Sequence, residues 1–166
     1  MVCPKQFSFQ SDNHDHQRCI RNAMAVAEKL CRRRQQRFTP LRRRVLQLIW
    51  QQQRPVGAYD LLKQLQQDGK AAPITVYRVL DFLLRMGLVH RILSQNAYIG
   101  CVCPEREHAG HFLICQTCKG LVEVVDSALT AAIVANSLAL DFQVRQSAVE
   151  ILGLCPRCAK EVSSEG

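Results

Sequence analysis

No run of about 18 apolar residues occurs in the chain, which excludes a membrane-crossing helix. The N-terminus lacks the apolar stretch that precedes a secretory cleavage site, so we expect a cytoplasmic protein with no membrane partner. No histidine is followed by Glu two residues on, and neither Cys-x-x-Cys is preceded by proline, so the zinc-deaminase signature is missing. Acidic residues are comparatively few, 14 against 22 Lys and Arg. What remains is 166 residues, 48% apolar, enough for one domain or two small ones with real cores.

The charge is divided unevenly. Residues 1–100 carry 17 Lys/Arg and 6 Asp/Glu, whereas residues 101–166 carry 5 and 8. A basic front half joined to an acidic, cysteine-rich back half suggests a polyanion binder attached to a different module. Each basic run taken singly could be a solvated helix face. Nine cysteines would form disulfides in a secreted chain; in a reducing compartment they point to metal.

Two knuckles organise the chain: Cys115-Gln-Thr-Cys118 and Cys155-Pro-Arg-Cys158. A two-residue spacer lets both thiolates of a knuckle bind one ion, and two knuckles fill a closed tetrahedral zinc site. A closed site has no open position for substrate or catalytic water, so we expect structural metal and no enzyme. Residues 119–154 between the knuckles are too many for a simple zinc ribbon, so the insert should fold as a unit pinned at its ends.

Residues 1–17 are polar and aperiodic, and read as a mobile tail in which His14 and His16 are incidental. Helical periodicity covers 18–36, closed by Arg32–Arg34. Thr39-Pro40 starts a second helix to about Gln53, with Arg42, Arg43 and Arg44 off its apolar stripe and available to phosphates. Pro55-Val56-Gly57 breaks it, and Ala58 to about Gln67 is a third helix before a turn at Asp68-Gly69-Lys70. Pro73 opens a fourth, ending at Gly87, with Val76, Val79, Leu80, Leu83 and Leu84 inward. Thr75, Tyr77, Arg78, Asp81 and Arg85 stay outside, which suits the base-reading end of a recognition helix. Leu88–Leu93 and Ala97–Val102 read as a hairpin turned at Ser94-Gln95-Asn96, completing a winged helix-turn-helix.

Beyond a hinge near residues 100–110, strands are expected at Phe112–Ile114 and Leu121–Val125. Ser127 should N-cap an apolar helix to about Leu140, and Phe142–Leu152 reads as a strand. Short strands leave an edge that a second copy could cover.

The chain resembles the ferric uptake regulator family of bacterial metal sensors, and most closely its zinc-uptake-regulating branch. The resemblance covers about residues 20–160. It is carried by Thr39-Pro-Leu-Arg-Arg-Arg-Val-Leu, Ala58-Tyr-Asp-Leu-Leu, Thr75-Val-Tyr-Arg-Val-Leu-Asp-Phe-Leu, Gly87-Leu-Val-His and the knuckles. It implies an α/β two-domain protein: a winged-helix DNA-binding domain over 18–100, a hinge at 101–110, and a zinc-bound dimerisation domain over 111–166. It implies a homodimeric repressor of zinc-uptake genes on an AT-rich inverted-repeat operator.

Tyr59 and Arg78 fall on family positions associated with DNA. Cys115, Cys118, Cys155 and Cys158 fall on the structural zinc. His90, Cys101, His108 and Glu123 fall on a regulatory zinc, the second per chain, with Cys103 and His111 as alternative ligands. A thiolate among two imidazoles and a carboxylate favours zinc over oxygen-preferring metals. The chain lacks the richer histidine cluster that gives many members a further metal site. The rival readings are an iron, manganese or peroxide sensor of the same family, and a non-sensing zinc-stabilised adaptor.

Overall fold

In a computed structural model, residue 9 and residues 15–52, 54–67, 69, 72–105 and 108–163 are described. They divide into two compact units, one holding residues 15–105 and the other holding 108–163 together with Phe9. Most of the expected tail, including His14 and Cys3, lies outside the described residues, as do Asp68 and Lys70 of the turn after the third helix.

The first unit is helical with a small sheet: α1 (His16–Arg33), α2 (Pro40–Gln51), β1 (Val56–Gly57), α3 (Ala58–Gln67), α4 (Pro73–Arg85), β2 (Val89–Ile92) and β3 (Ala97–Gly100). Asp15 caps α1 by accepting from the Arg18 N–H at 2.9 Å, so His16 is a helical residue rather than tail. Its Nε2 lies 2.8 Å from the Trp50 carbonyl, joining the start of α1 to α2. Thr39 caps α2 through its hydroxyl, with Pro40 following, as the sequence requires. Helix α4 ends in a left-handed Gly87, φ 69°, while Leu88 N–H returns to Leu83 C=O at 2.9 Å.

Apolar stripes of the four helices meet in one core, with Leu46, Ile49, Leu61, Leu80 and Leu83 fully enclosed. Phe82 joins that core, while Leu84 is only partly buried. The sheet order is β1-β3-β2, all antiparallel. Val56-Gly57, expected only to interrupt the chain, is therefore a strand. It exists because Val56 and Gly57 pair with Tyr98 and Ala97.

Arg42 and Arg43 differ from expectation. The Arg42 guanidinium stacks on Phe82 at 3.4 Å from the ring centroid and donates to the Arg37 carbonyl. Arg43 pairs with Glu28 and lies over Phe38. Both tie helices and loops together rather than standing ready for phosphates.

The second unit contains β4 (Gly110–Cys115), β5 (Leu121–Val124), α5 (Ser127–Leu138), β6 (Ala148–Gly153) and α6 (Pro156–Ser163). Strand β4 is central, antiparallel to β5 and parallel to β6. Asp126, not Ser127, caps α5, its carboxylate accepting from Ala128 N–H at 2.7 Å and Leu129 N–H at 3.3 Å. The expected strand from Phe142 begins only at Ala148, because Asp141 turns left-handed (φ 55°) and the chain then runs irregularly. Helix α6 was not anticipated. It is a short helix opened by Pro156 inside the second knuckle.

Candidate metal centres and nucleic-acid interface

The β4–β6 pairing brings the knuckles together. Cys115 is the last residue of β4 and lies in register with Gly153, two residues before Cys155. Gln116 N–H donates to Gly153 C=O at 2.8 Å, locking the strand ends. Lys119 takes a left-handed turn (φ 60°), and Cys115 N–H reaches Gly120 C=O at 2.8 Å, folding the first knuckle back on itself. All four Sγ atoms lie within 4.8 Å of one another.

Sulfurs 2.3 Å from one tetrahedral zinc sit about 3.8 Å apart. The Cys118–Cys155 sulfur separation is 3.8 Å, so the donor set and spacing fit zinc. Burial raises the Cys115 thiol, but N–H groups of Cys155, Cys118 and Thr117 outweigh it and bring its pKa down to about 6. Cys158 is driven the other way, to about 12, by burial and by the neighbouring thiols. Four thiols this close cannot all ionise without a cation, which is what the arrangement is built to hold.

The expected sensor residues form one pair in each unit. In the first, His90 lies on β2 opposite Ile99, and Cys101 follows β3 with its N–H donating to Leu88 C=O at 3.0 Å. Hairpin register thus sets both residues at one end of the wing, with ring nitrogen and sulfur within 4.8 Å. In the second, the His108 Nε2–H donates to Glu123 Oε1 at 2.7 Å, both side chains nearly enclosed. Glu123 is placed by its pairing with Phe112.

Of the alternatives, Cys103 is buried two residues beyond Cys101. His111 is 1% exposed and sits on β4 one residue before Phe112. Strand alternation sends it to the face opposite Glu123. Neither of its ring nitrogens has a hydrogen-bond partner among the described residues. Burial lowers its pKa below the usual histidine value, opposed by the Asp126 carboxylate and reinforced by His108.

Helices α3 and α4 with the β2–β3 hairpin form the winged helix-turn-helix. On α4 the outward stripe is Ile74, Tyr77, Arg78, Asp81 and Arg85, at intervals of three and four residues. Thr75 is half-buried and set back from that stripe. Tyr59, in the first turn of α3, is 66% exposed, and the Lys63 ammonium lies 4.6 Å from its ring centroid. Ile74 was missed in the sequence. A helical wheel phased on the buried Val76, Val79, Leu80 and Leu83 would have found it.

Four clustered cysteine sulfurs and a winged helix with Tyr77, Arg78 and Arg85 exposed along one face, in one chain, define a winged-helix protein with a candidate metal centre. The sequence model of the Ferric uptake regulator family matches residues 33–152. The chain is 36% identical over 139 residues to the zinc uptake regulation protein of Escherichia coli (strain K12), covering 82% of this chain and 81% of that protein. Among solved structures, holo XcZur superposes with a TM-score of 0.79 at 39% identity, over 84% of this chain and 98% of that one. A zinc uptake regulator complexed with zinc and DNA gives 0.81 at 33% identity, over 91% and 99%. The chain belongs to the ferric uptake regulator family, whose members are transcription regulators rather than enzymes.

Proposed function

We propose that the protein is a zinc-responsive transcriptional repressor of zinc-uptake genes. It works in the cytoplasm and binds an AT-rich inverted-repeat operator as a zinc-loaded homodimer. The observation that carries the choice of metal is the buried Cys101 thiol beside His90. A thiolate donor favours zinc over the harder cations that oxygen-rich sites select.

Two zinc ions per chain are assigned different tasks. Cys115, Cys118, Cys155 and Cys158 hold a structural ion that closes the second unit and stays bound. His90 and Cys101 from the wing, together with His108 and Glu123, hold a regulatory ion whose occupancy follows supply. Zinc would supply a cross-link there; the protein contributes His90 on β2 and Glu123 on β5, with Cys101 just after β3 and His108 just before β4. Shared between the pairs, the ion restricts how the winged unit is carried on the dimer. It shifts that equilibrium only by its differential affinity for the restricted state. At 100 times its dissociation constant the gain is about 2.7 kcal/mol, roughly a hundredfold in population.

Dimerisation is supported by α5, which is apolar all round yet buries none of its residues within its own unit. Leu138 at its end, Leu140 and Phe142 after it, and Ile151 and Leu152 on the edge strand β6, are likewise exposed. DNA contact is assigned to Tyr59, Tyr77 and Arg78, with Thr75 at the margin. Basic excess over the first hundred residues matches a phosphate backbone.

The test is operator binding against buffered free zinc, on protein whose residual metal has been counted. One zinc per chain should resist the chelator, and binding should switch on with a second. Binding that ignores zinc but follows iron or manganese would overturn the metal assignment. Binding indifferent to every metal would overturn sensing altogether.

A further inference from the structure

We propose that Ile74 reads a thymine 5-methyl group in the major groove, making it a specificity-determining residue of the DNA interface. The inference rests on the reading of the protein as an operator-binding regulator. Ile74 is the second residue of α4 and is 60% exposed. It shares its stripe with Tyr77 one turn on, itself 52% exposed, and with Arg78. A single exposed apolar side chain is ordinary, but this one continues an aromatic and a cation along one face, at the end of the helix that enters a groove.

Helix stability does not account for it. A β-branched residue in a first turn is a poorer helix former than alanine, and here most of its surface stays exposed. The core of the unit is complete without it.

The chemistry of the face fits DNA rather than an apolar protein partner. Arg78 lies one turn from Ile74, and Lys63 stands over the exposed Tyr59 on α3. A cation one turn along from an exposed apolar side chain suits a groove lined by phosphates with methyl groups on its floor. Thymine is the only base that presents a methyl group in the major groove, and apolar side chains are its natural contact. An isobutyl-sized side chain projecting from the N-terminal turn thus converts shape into preference for thymine at one position of each half-site.

The experiment uses the zinc-loaded full chain. Selection from a random duplex pool gives its preferred site. Each thymine is then replaced in turn by deoxyuridine, which lacks only the 5-methyl. At one thymine per half-site the replacement should weaken wild-type binding about fourfold, the worth of one buried methylene-sized group. Ile74→Ala should lose a comparable factor on the thymine duplex and be indifferent to the replacement, while Ile74→Val regains part of the discrimination. Unchanged melting and zinc content of both variants keep the comparison on the interface. If no replacement discriminates, or Ile74→Ala keeps the full penalty, Ile74 does not read the methyl although operator binding stands. If the zinc-loaded chain enriches no sequence from the pool, the operator-binding reading itself fails.

Discussion

Gly100 is the position where one methyl group should do most damage to the wing. A Cβ built on it would lie 2.4 Å from two atoms of the Trp50 indole and 2.9 Å from a third. Those atoms belong to the rigid body of the ring, so relief requires moving α2 against β3 or rotating the indole out of its seat. Overpacking of this kind costs about 1–3 kcal/mol. In a unit of this size, 1 kcal/mol shifts the melting midpoint by roughly 4–8 °C. Trp50 is the only tryptophan, so its emission reports unfolding of the winged unit alone. Gly100→Ala should therefore lower the fluorescence-detected midpoint by several degrees and red-shift native emission as the indole becomes wetter. Trp50→Phe, with a smaller ring, should absorb much of the added methyl, so the double variant should lose less than the two singles together. Strict additivity, or a Gly100→Ala midpoint within a degree of wild type, would refute the packing argument.

Three further outcomes follow from the metal centres and the buried histidine. Cys118→Ser should remove the chelator-resistant zinc and with it the dimer, read by metal counting and size-exclusion mass; a folded dimer holding its tight zinc would exclude Cys118 as a structural ligand. Cys101→Ser should keep that zinc and the fold but lose zinc-dependent operator binding by tenfold or more, and an unchanged zinc titration would remove Cys101 from the sensor set. His111 has a lowered pKa in the fold, so the unfolded chain binds the proton first and stability falls as pH drops below about 6.5. His111→Leu removes that loss. Its stability advantage in urea should widen from pH 7.5 to pH 5.5, and a gap independent of pH would contradict the assignment of His111 as buried and neutral.

What could be read from the sequence was what local chemistry determines. Thr39-Pro40 fixed the start of α2, and Gly87 fixed the end of α4, because caps depend on residues within one turn. The knuckles were legible because ligand spacing is itself short-range. Features decided by distant partners were not. Val56-Gly57 is a strand only because Tyr98 and Ala97 lie alongside it. Arg42 looked available to phosphates until Phe82, forty residues on, supplied a ring for it. Asp126 displaced Ser127 as cap because its carboxylate reaches two N–H groups at once. The mixed run from Phe142 reads as strand, yet Phe142 is exposed and its N–H returns to Ser137 C=O at 3.0 Å, closing the end of α5 instead of joining a ladder. Ile74 was passed over because an apolar residue invites assignment to the core before its phase on the helix is checked.

The parallel pairing of β4 with β6 has a consequence for how this chain can change. Cys115 and Cys155 are held by neighbouring strand ends, and everything from β5 to the start of β6 is an excursion that leaves and returns to one clamp. Lengthening such an excursion costs little: doubling a flexible connection adds only about 0.6 kcal/mol of closure entropy. The stretch from Leu140 to Ser147 can therefore gain or lose residues without disturbing the four sulfurs. The apolar helix α5 rides on a tether of adjustable length, so the surface it offers to another copy can drift while the metal clamp stays as it is.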